Sequence, residues 1–177
     1  MLAATALPLT SCTDSDDVLS PARDLVGTWV GNGPLEGLKY LDNTYAVSTA
    51  PDVYCSEHEA NLSLVITSQS GNAISGTLTV QITSVQATGD CPHSNNIGTF
   101  EGSITGTVSS SNVTFTWPGG FDTVGETFFG PCLEFHGTFT TDLMSGLATE
   151  PNLVTCGQTP GTNYGVSGIE WKLRRPF

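Results

Sequence analysis

The sequence predicts an all-β domain, an eight-stranded antiparallel up-and-down β-barrel, and three observations carry that prediction. Apolar residues alternate with hydroxyl residues along nearly the whole chain. The connections between alternating runs are in turn short and long. Each long connection contains or ends in a single cysteine. A two-sheet β-sandwich is the other arrangement that the same strands allow.

The strands follow in chain order. Leu25 to Gly31 is the first, and Leu62, Leu64 and Ile66 mark the second. Ile74, Gly76, Leu78, Val80 and Ile82 alternate with Ser75, Thr77, Thr79 and Gln81, the period of a strand with one buried and one wet face. Phe100 to Val108 repeats that pattern, with Gly102 and Gly106 on the apolar side. Val113, Phe115 and Trp117 mark the fifth strand, Leu133, Phe135 and Phe139 the sixth. A weaker run from Leu143 to Thr149 is the seventh, and Ile169, Trp171 and Leu173 form the last. No stretch carries a helical period.

Ser68–Asn72, Ser109–Asn112 and Thr140–Asp142 are tight hairpin connections. The other four, roughly residues 32–60, 85–98, 118–131 and 151–164, are long. In a meander, alternate connections lie at opposite ends, so the tight turns close one end and the long loops crowd the other. Closing the sheet into a barrel removes the edge strands that otherwise pair with other chains. Eight strands leave an interior wide enough for packed side chains or one small ligand. The inward glycines at 76, 102, 106, 137 and 168 either relieve strand coiling or leave space, and spacing does not separate the two.

Composition narrows the function. The net charge is -12, with Arg23, Lys39, Lys172, Arg174 and Arg175 as the basic residues, so no patch is available to neutralise phosphates and nucleic acid is excluded as a partner. Residues 1–12 end in Leu9-Thr10-Ser11-Cys12 after a small-apolar run and lead into acidic, polar sequence. That is the pattern of an export signal. The tetrad resembles the lipobox of bacterial lipoproteins, which implies that Cys12 becomes lipidated and N-terminal. The run lacks a Lys/Arg-rich start, so Met1 is expected to be a late start with residues missing upstream. Residues 13–23 are then a flexible tether and 24–177 a single barrel domain. The membrane partner is the lipid anchor, and the location is the cell envelope, on the outer face of the cytoplasmic membrane or on the outer membrane.

Setting Cys12 aside leaves Cys55, Cys91, Cys132 and Cys156, an even set suited to two disulfides in an oxidising compartment. Bridges straight across the mouth would need opposite rims to meet within about 7 Å. Neighbouring loops leave 55–91 with 132–156, or 91–132 with 55–156. The first is preferred because Cys55 and Cys91 precede their strands by similar distances. The two Asn-x-Ser/Thr sequons, at Asn61 and Asn112, are read as coincidence.

Gly27-Thr28-Trp29 opens the first strand, and Trp171-Lys172-Leu173-Arg174-Arg175 closes the last. This arrangement resembles the calycin superfamily of lipocalins, fatty-acid-binding proteins and avidins. The resemblance implies that Trp29 packs at the closed base beneath a basic side chain from the last strand. Arg175 shares parity with inward Ile169, Trp171 and Leu173 and is preferred, with Arg174 second. The other lipocalin sequence blocks and the polar biotin-contacting set of avidins are not visible in this chain.

Chemistry is sparse. Cys55-x-x-His58 and Cys91-Pro92-His93 are weak metal candidates, because cysteines of exported proteins form disulfides more often than zinc sites. No triad, phosphate loop or carboxylate pair points to an enzyme, and no cofactor is implied. The mouth loops are rich in Asp and Glu, a field that favours cationic ligands. Two readings follow. In the first, the barrel mouth holds a small, largely apolar ligand, lined by Leu38, Tyr40, Tyr45 and Tyr54 of the first long loop with Phe115 and Trp117. In the second, the barrel is packed, binds no small molecule, and serves as a surface or structural interaction module.

Overall fold

A computed structural model describes residues 23–33, 36–42, 56–87, 97–122, 128–129, 132–149 and 166–176. Eleven strand segments appear in chain order: β1 (Gly27–Gly31), β2 (Gly37–Asp42), β3 (Ser56–Ser70), β4 (Ala73–Ala87), β5 (Gly98–Ser109), β6 (Asn112–Trp117), β7 (Gly120–Asp122), β8 (Phe128–Phe129), β9 (Leu133–Phe139), β10 (Leu143–Thr149) and β11 (Val166–Arg174). They build a closed antiparallel barrel of eight staves. The first stave is split, since β1 and β2 lie end to end between β3 and β11. The ring continues through β3, β4, β5, β6, β9, β10 and β11. Pairing of Val30 with Arg174 and of Gly37 with Lys172 joins first stave to last, so the sandwich arrangement does not apply.

Two features of the long connections differ from the sequence expectation. The first loop contributes β2 to the wall, and β3 begins at Ser56 rather than near residue 61. The loop after β6 contains β7, which continues along β5 past the break at Pro118-Gly119, and β8, which pairs with β7. Short interrupted segments of this kind carry too few residues to show a period of two.

The base is tight. Gly71 (φ 58°) and Ser110 (φ 54°) take the left-handed conformation that two-residue hairpin turns require. Neighbouring turns also hydrogen-bond to one another: Val108 N–H donates to the Asn72 carbonyl at 2.7 Å, and Phe139 N–H to the Ser111 carbonyl at 2.9 Å. Beneath the barrel, Leu25 is buried and its carbonyl accepts the Trp29 indole N–H at 3.0 Å. The Arg175 guanidinium carbon lies 4.6 Å from the centre of the Trp29 ring, and Arg175 Nη2 donates to the Asp24 carbonyl at 2.7 Å. Arg174 instead turns outward and pairs with Glu36, which holds its guanidinium protonated more firmly than usual. The odd–even parity of a strand therefore sorts adjacent arginines into a base-sealing role and a wall-clamping role.

Inside, large and small side chains alternate around the barrel. Trp29 lies beside Leu64, Leu64 beside Leu78 and Leu78 beside Gly102. In a second row, Ile74, Gly106, Phe115, Phe135, Ala148 and Ile169 follow one another across six staves. Gly137 and Gly146 then sit beside Trp171, followed by Leu38 and Ala60. A methyl group on Gly137 would come within 2.5 Å of the Trp171 ring, and one on Gly102 within 2.6 Å of the Trp117 indole nitrogen. Gly102 and Gly137 thus make room for aromatic rings on neighbouring staves, whereas at Gly76 a methyl group would meet the Val65 backbone carbonyl at 2.0 Å. Phe115 and Phe135 stack at 4.6 Å, and Trp171 meets both edgewise at 5.7 and 5.8 Å.

Two stability predictions follow, both read from urea unfolding midpoints. Trp29→Ala should destabilise by ~3–5 kcal/mol through cavity formation, and Arg175→Ala by ~1–2 kcal/mol through loss of the cation–ring contact and a charged hydrogen bond. Arg174→Ala, which breaks a solvent-screened ion pair, should cost clearly less than Arg175→Ala; equal effects of the two arginines would refute the division of roles. Separately, Gly137→Ala should cost about 1–3 kcal/mol by overpacking, whereas Thr138→Ala, on the exposed side of the same strand, should change stability by less than ~0.5 kcal/mol.

Candidate functional site

The open end was expected to hold any site, and the structure changes its composition. Leu38 and Tyr40 belong to β2 in the barrel wall rather than to a lid loop. Leu38 is buried, with Trp171 and Ala60 as its strand neighbours. Tyr40 pairs with His58 along the backbone. Phe115 and Trp117 are 1% and 0% exposed and belong to the packed interior, not to an open ligand surface. Tyr45 and Tyr54 lie outside the described residues.

His58 is also relocated. It was placed in a mouth loop, yet it stands in β3 in phase with Ala60, Leu62, Leu64 and Ile66, and it is 1% exposed. Among the described residues it is the one buried polar side chain of the core. Its early position in a long strand was hidden because Glu57 and Glu59 flank it, which reads as loop. Its proposed companion His93 lies outside the described residues, and no cluster of three metal-ligating side chains forms among those described. His136 is exposed on β9, 3.4 Å from Glu134.

Cys132 is buried just before β9 at the mouth end and is disulfide-bonded. Its partner, like Cys55, Cys91, Cys156 and the Cys12 lipidation position, lies outside the described residues.

A feature that sequence reasoning missed is a groove of about 400 Å³ lined by β2, β10 and β11 on the outer wall. Its charged residues alternate with the inward ones, so they face away from the core: Lys39 on β2, Glu59 on β3, and Glu170 and Lys172 on β11. Glu59, Lys39, Glu170 and Leu147 form a cross-strand row. Lys39 reaches Glu57 at 2.5 Å, and that hydrogen bond raises its pKa, with smaller contributions from Glu59 and Glu170. Lys172 lies 3.9 Å from Glu36 at the lower end, and Leu147, 57% exposed, provides an apolar patch. The groove lies beside the split in the first stave between Gly31 and Gly37, where Gly33 and Glu36 line it. Only the pairing of β2 with β11 places these residues together, and no single strand shows it.

Chemically, this arrangement offers carboxylates and an apolar ledge but no buried nucleophile or acid–base pair. Comparison with family models, with curated proteins and with solved structures finds nothing that matches this chain.

Proposed function

We propose that the protein is a lipid-anchored envelope module whose barrel is a rigid, packed scaffold and whose mouth loops make contacts with other macromolecules. The observation that carries this reading is the filled interior. Phe115, Trp117, Phe135 and Trp171 occupy the middle of the lumen, where a ligand of a hollow calycin would sit. The likeness to calycins is then one of architecture and base closure, supported by Arg175 over Trp29, and does not extend to carrying an apolar molecule inside. The lipobox-like tetrad ending in Cys12 supports the anchor, and the acid-rich mouth loops suit cationic surfaces.

The mouth loops are proposed to be fixed by bridges 55–91 and 132–156, and the disulfide at Cys132 supports a bridge at that rim. Each closes a loop of a few tens of residues, worth ~3–4 kcal/mol in the chain-entropy model. A second reading draws on the outer groove: a small organic cation with an apolar body would place its charge by Glu59 and Glu170 and its body on Leu147.

Native mass spectrometry of the gently extracted protein separates these readings. The module reading expects the bare polypeptide mass plus the lipid. A stoichiometric small molecule lost on Glu170→Gln supports the groove reading, and one retained in that variant supports a mouth ligand. Peptide mapping without reduction should recover Cys55 joined to Cys91 and Cys132 joined to Cys156. Recovery of 91–132 with 55–156 selects the other neighbouring pairing, and free thiols at all four positions overturn the disulfide assignment.

A further inference from the structure

We propose that the barrel stands base-down on the bilayer, with its closed end facing the lipid and its cysteine-bearing mouth pointing away. The inference rests on the lipid-anchor reading of Cys12 and adds to it a direction that the motif does not contain.

The direction comes from where the chain leaves the barrel. Arg23, the first described residue, is fastened to the base from two sides: its guanidinium donates to the Thr141 hydroxyl at 3.0 Å, and its carbonyl accepts from Gln69 Nε2 at 3.1 Å. Leu25 N–H donates to Gln69 Oε1 at 2.9 Å, and Arg175 holds the Asp24 carbonyl. Gln69 and Thr141 both belong to base hairpins, so the segment leading to Cys12 departs from the closed end. Eleven residue steps separate Cys12 from Arg23, a reach of at most about 40 Å. Strands of 15 residues, tilted as in eight-stranded barrels, make the body about 35–40 Å tall. A tether of that length fixed at the base keeps the base, on average, nearer to the lipid than the mouth.

Charge points the same way. Arg23, Lys172, Arg174 and Arg175, four of the chain's five basic residues, gather at or near the base, where Asp24, Glu36 and Asp142 oppose them. Among the described residues this sets four cations against three carboxylates on the base of the barrel body, while Asp14, Asp16 and Asp17 belong to the segment that leads to Cys12. Of the other described acids, Asp42, Glu57, Glu59, Glu101, Asp122, Glu134 and Glu170 belong to the wall strands. An anionic bilayer surface attracts cations and repels carboxylates within a Debye length, and so favours the base over the mouth. The partner of the base is therefore a phospholipid surface, and the mouth is the face left open to macromolecules beyond the membrane.

Energy transfer to a labelled bilayer tests the orientation. The full chain, exported by a bacterial host, would carry an azide-bearing residue at Asn72 in a base turn or at Ile97, which is 67% exposed at the mouth end. After coupling a donor dye, the protein is reconstituted in vesicles of phosphatidylethanolamine with a minor share of phosphatidylglycerol and an acceptor-labelled lipid. The donor at position 72 should transfer at least about twofold more efficiently than the donor at 97, given the height of the barrel. Equal or reversed efficiencies, with Cys12→Ser abolishing vesicle association, overturn the orientation while leaving the anchor intact. Vesicle association that survives Cys12→Ser removes the anchor reading and the orientation with it.

Discussion

A closed eight-stave barrel has a fixed girth, so its interior volume is set before any side chain is chosen. The constraint on this protein is to fill that volume with the residues that alternation sends inward. It does so by pairing bulk with emptiness across neighbouring staves. Trp171 lies over the Gly137 backbone and Trp117 over Gly102. Neither ring would fit unchanged if its glycine carried a methyl group, and removing either ring would leave a void that forgoes dispersion contacts on every side. The base closure and the burial of Leu38 belong to the same packed interior.

The same constraint explains what could be read from the sequence. Alternation is a property of a single strand, so the staves, their inner faces and the tight turns were legible from runs such as Ile74 to Ile82. The base was legible as well, since parity alone places Arg175 inward and Arg174 outward. Whether Gly137 marks a gap or a seat for a ring depends on register with β10 and β11, and register is shared between strands distant in sequence. For that reason Phe115 and Trp117, named as ligand-lining, prove to be core. Leu38 moved for a related reason. Its stave is split between β1 and β2, and the second half is only six residues long, too short to declare itself. His58 was concealed by two neighbouring glutamates, which face outward from a strand as readily as they sit in a loop. The outer groove was illegible altogether, being made by three staves that meet only in the closed ring.

The two arginines at the end of β11 show how little sequence separates structural roles. One seals the lumen against an indole and a backbone carbonyl; the next one along the chain grips Glu36 and, with Lys172, steadies the interrupted first stave. The sealed end and the groove on the wall are thus built by alternating residues of one strand, and a change at one face leaves the other in place.

The pairing of Val30 with Arg174 joins residues 144 positions apart and has a consequence in time rather than in space. Ring closure requires the largest loop entropy of any contact in the wall, and it cannot occur until the last strand has been made. Until then the growing sheet offers two unpaired edges, one beside β1 and one on its newest strand. Hairpins such as β3–β4 can form early because their partners are adjacent in sequence. The base, where Trp29 waits for Arg175, is completed last. Folding of this barrel is therefore gated by its final nine-residue strand, and a chain cut short before Val166 would lack the closing stave altogether, with both sheet edges left open to self-association.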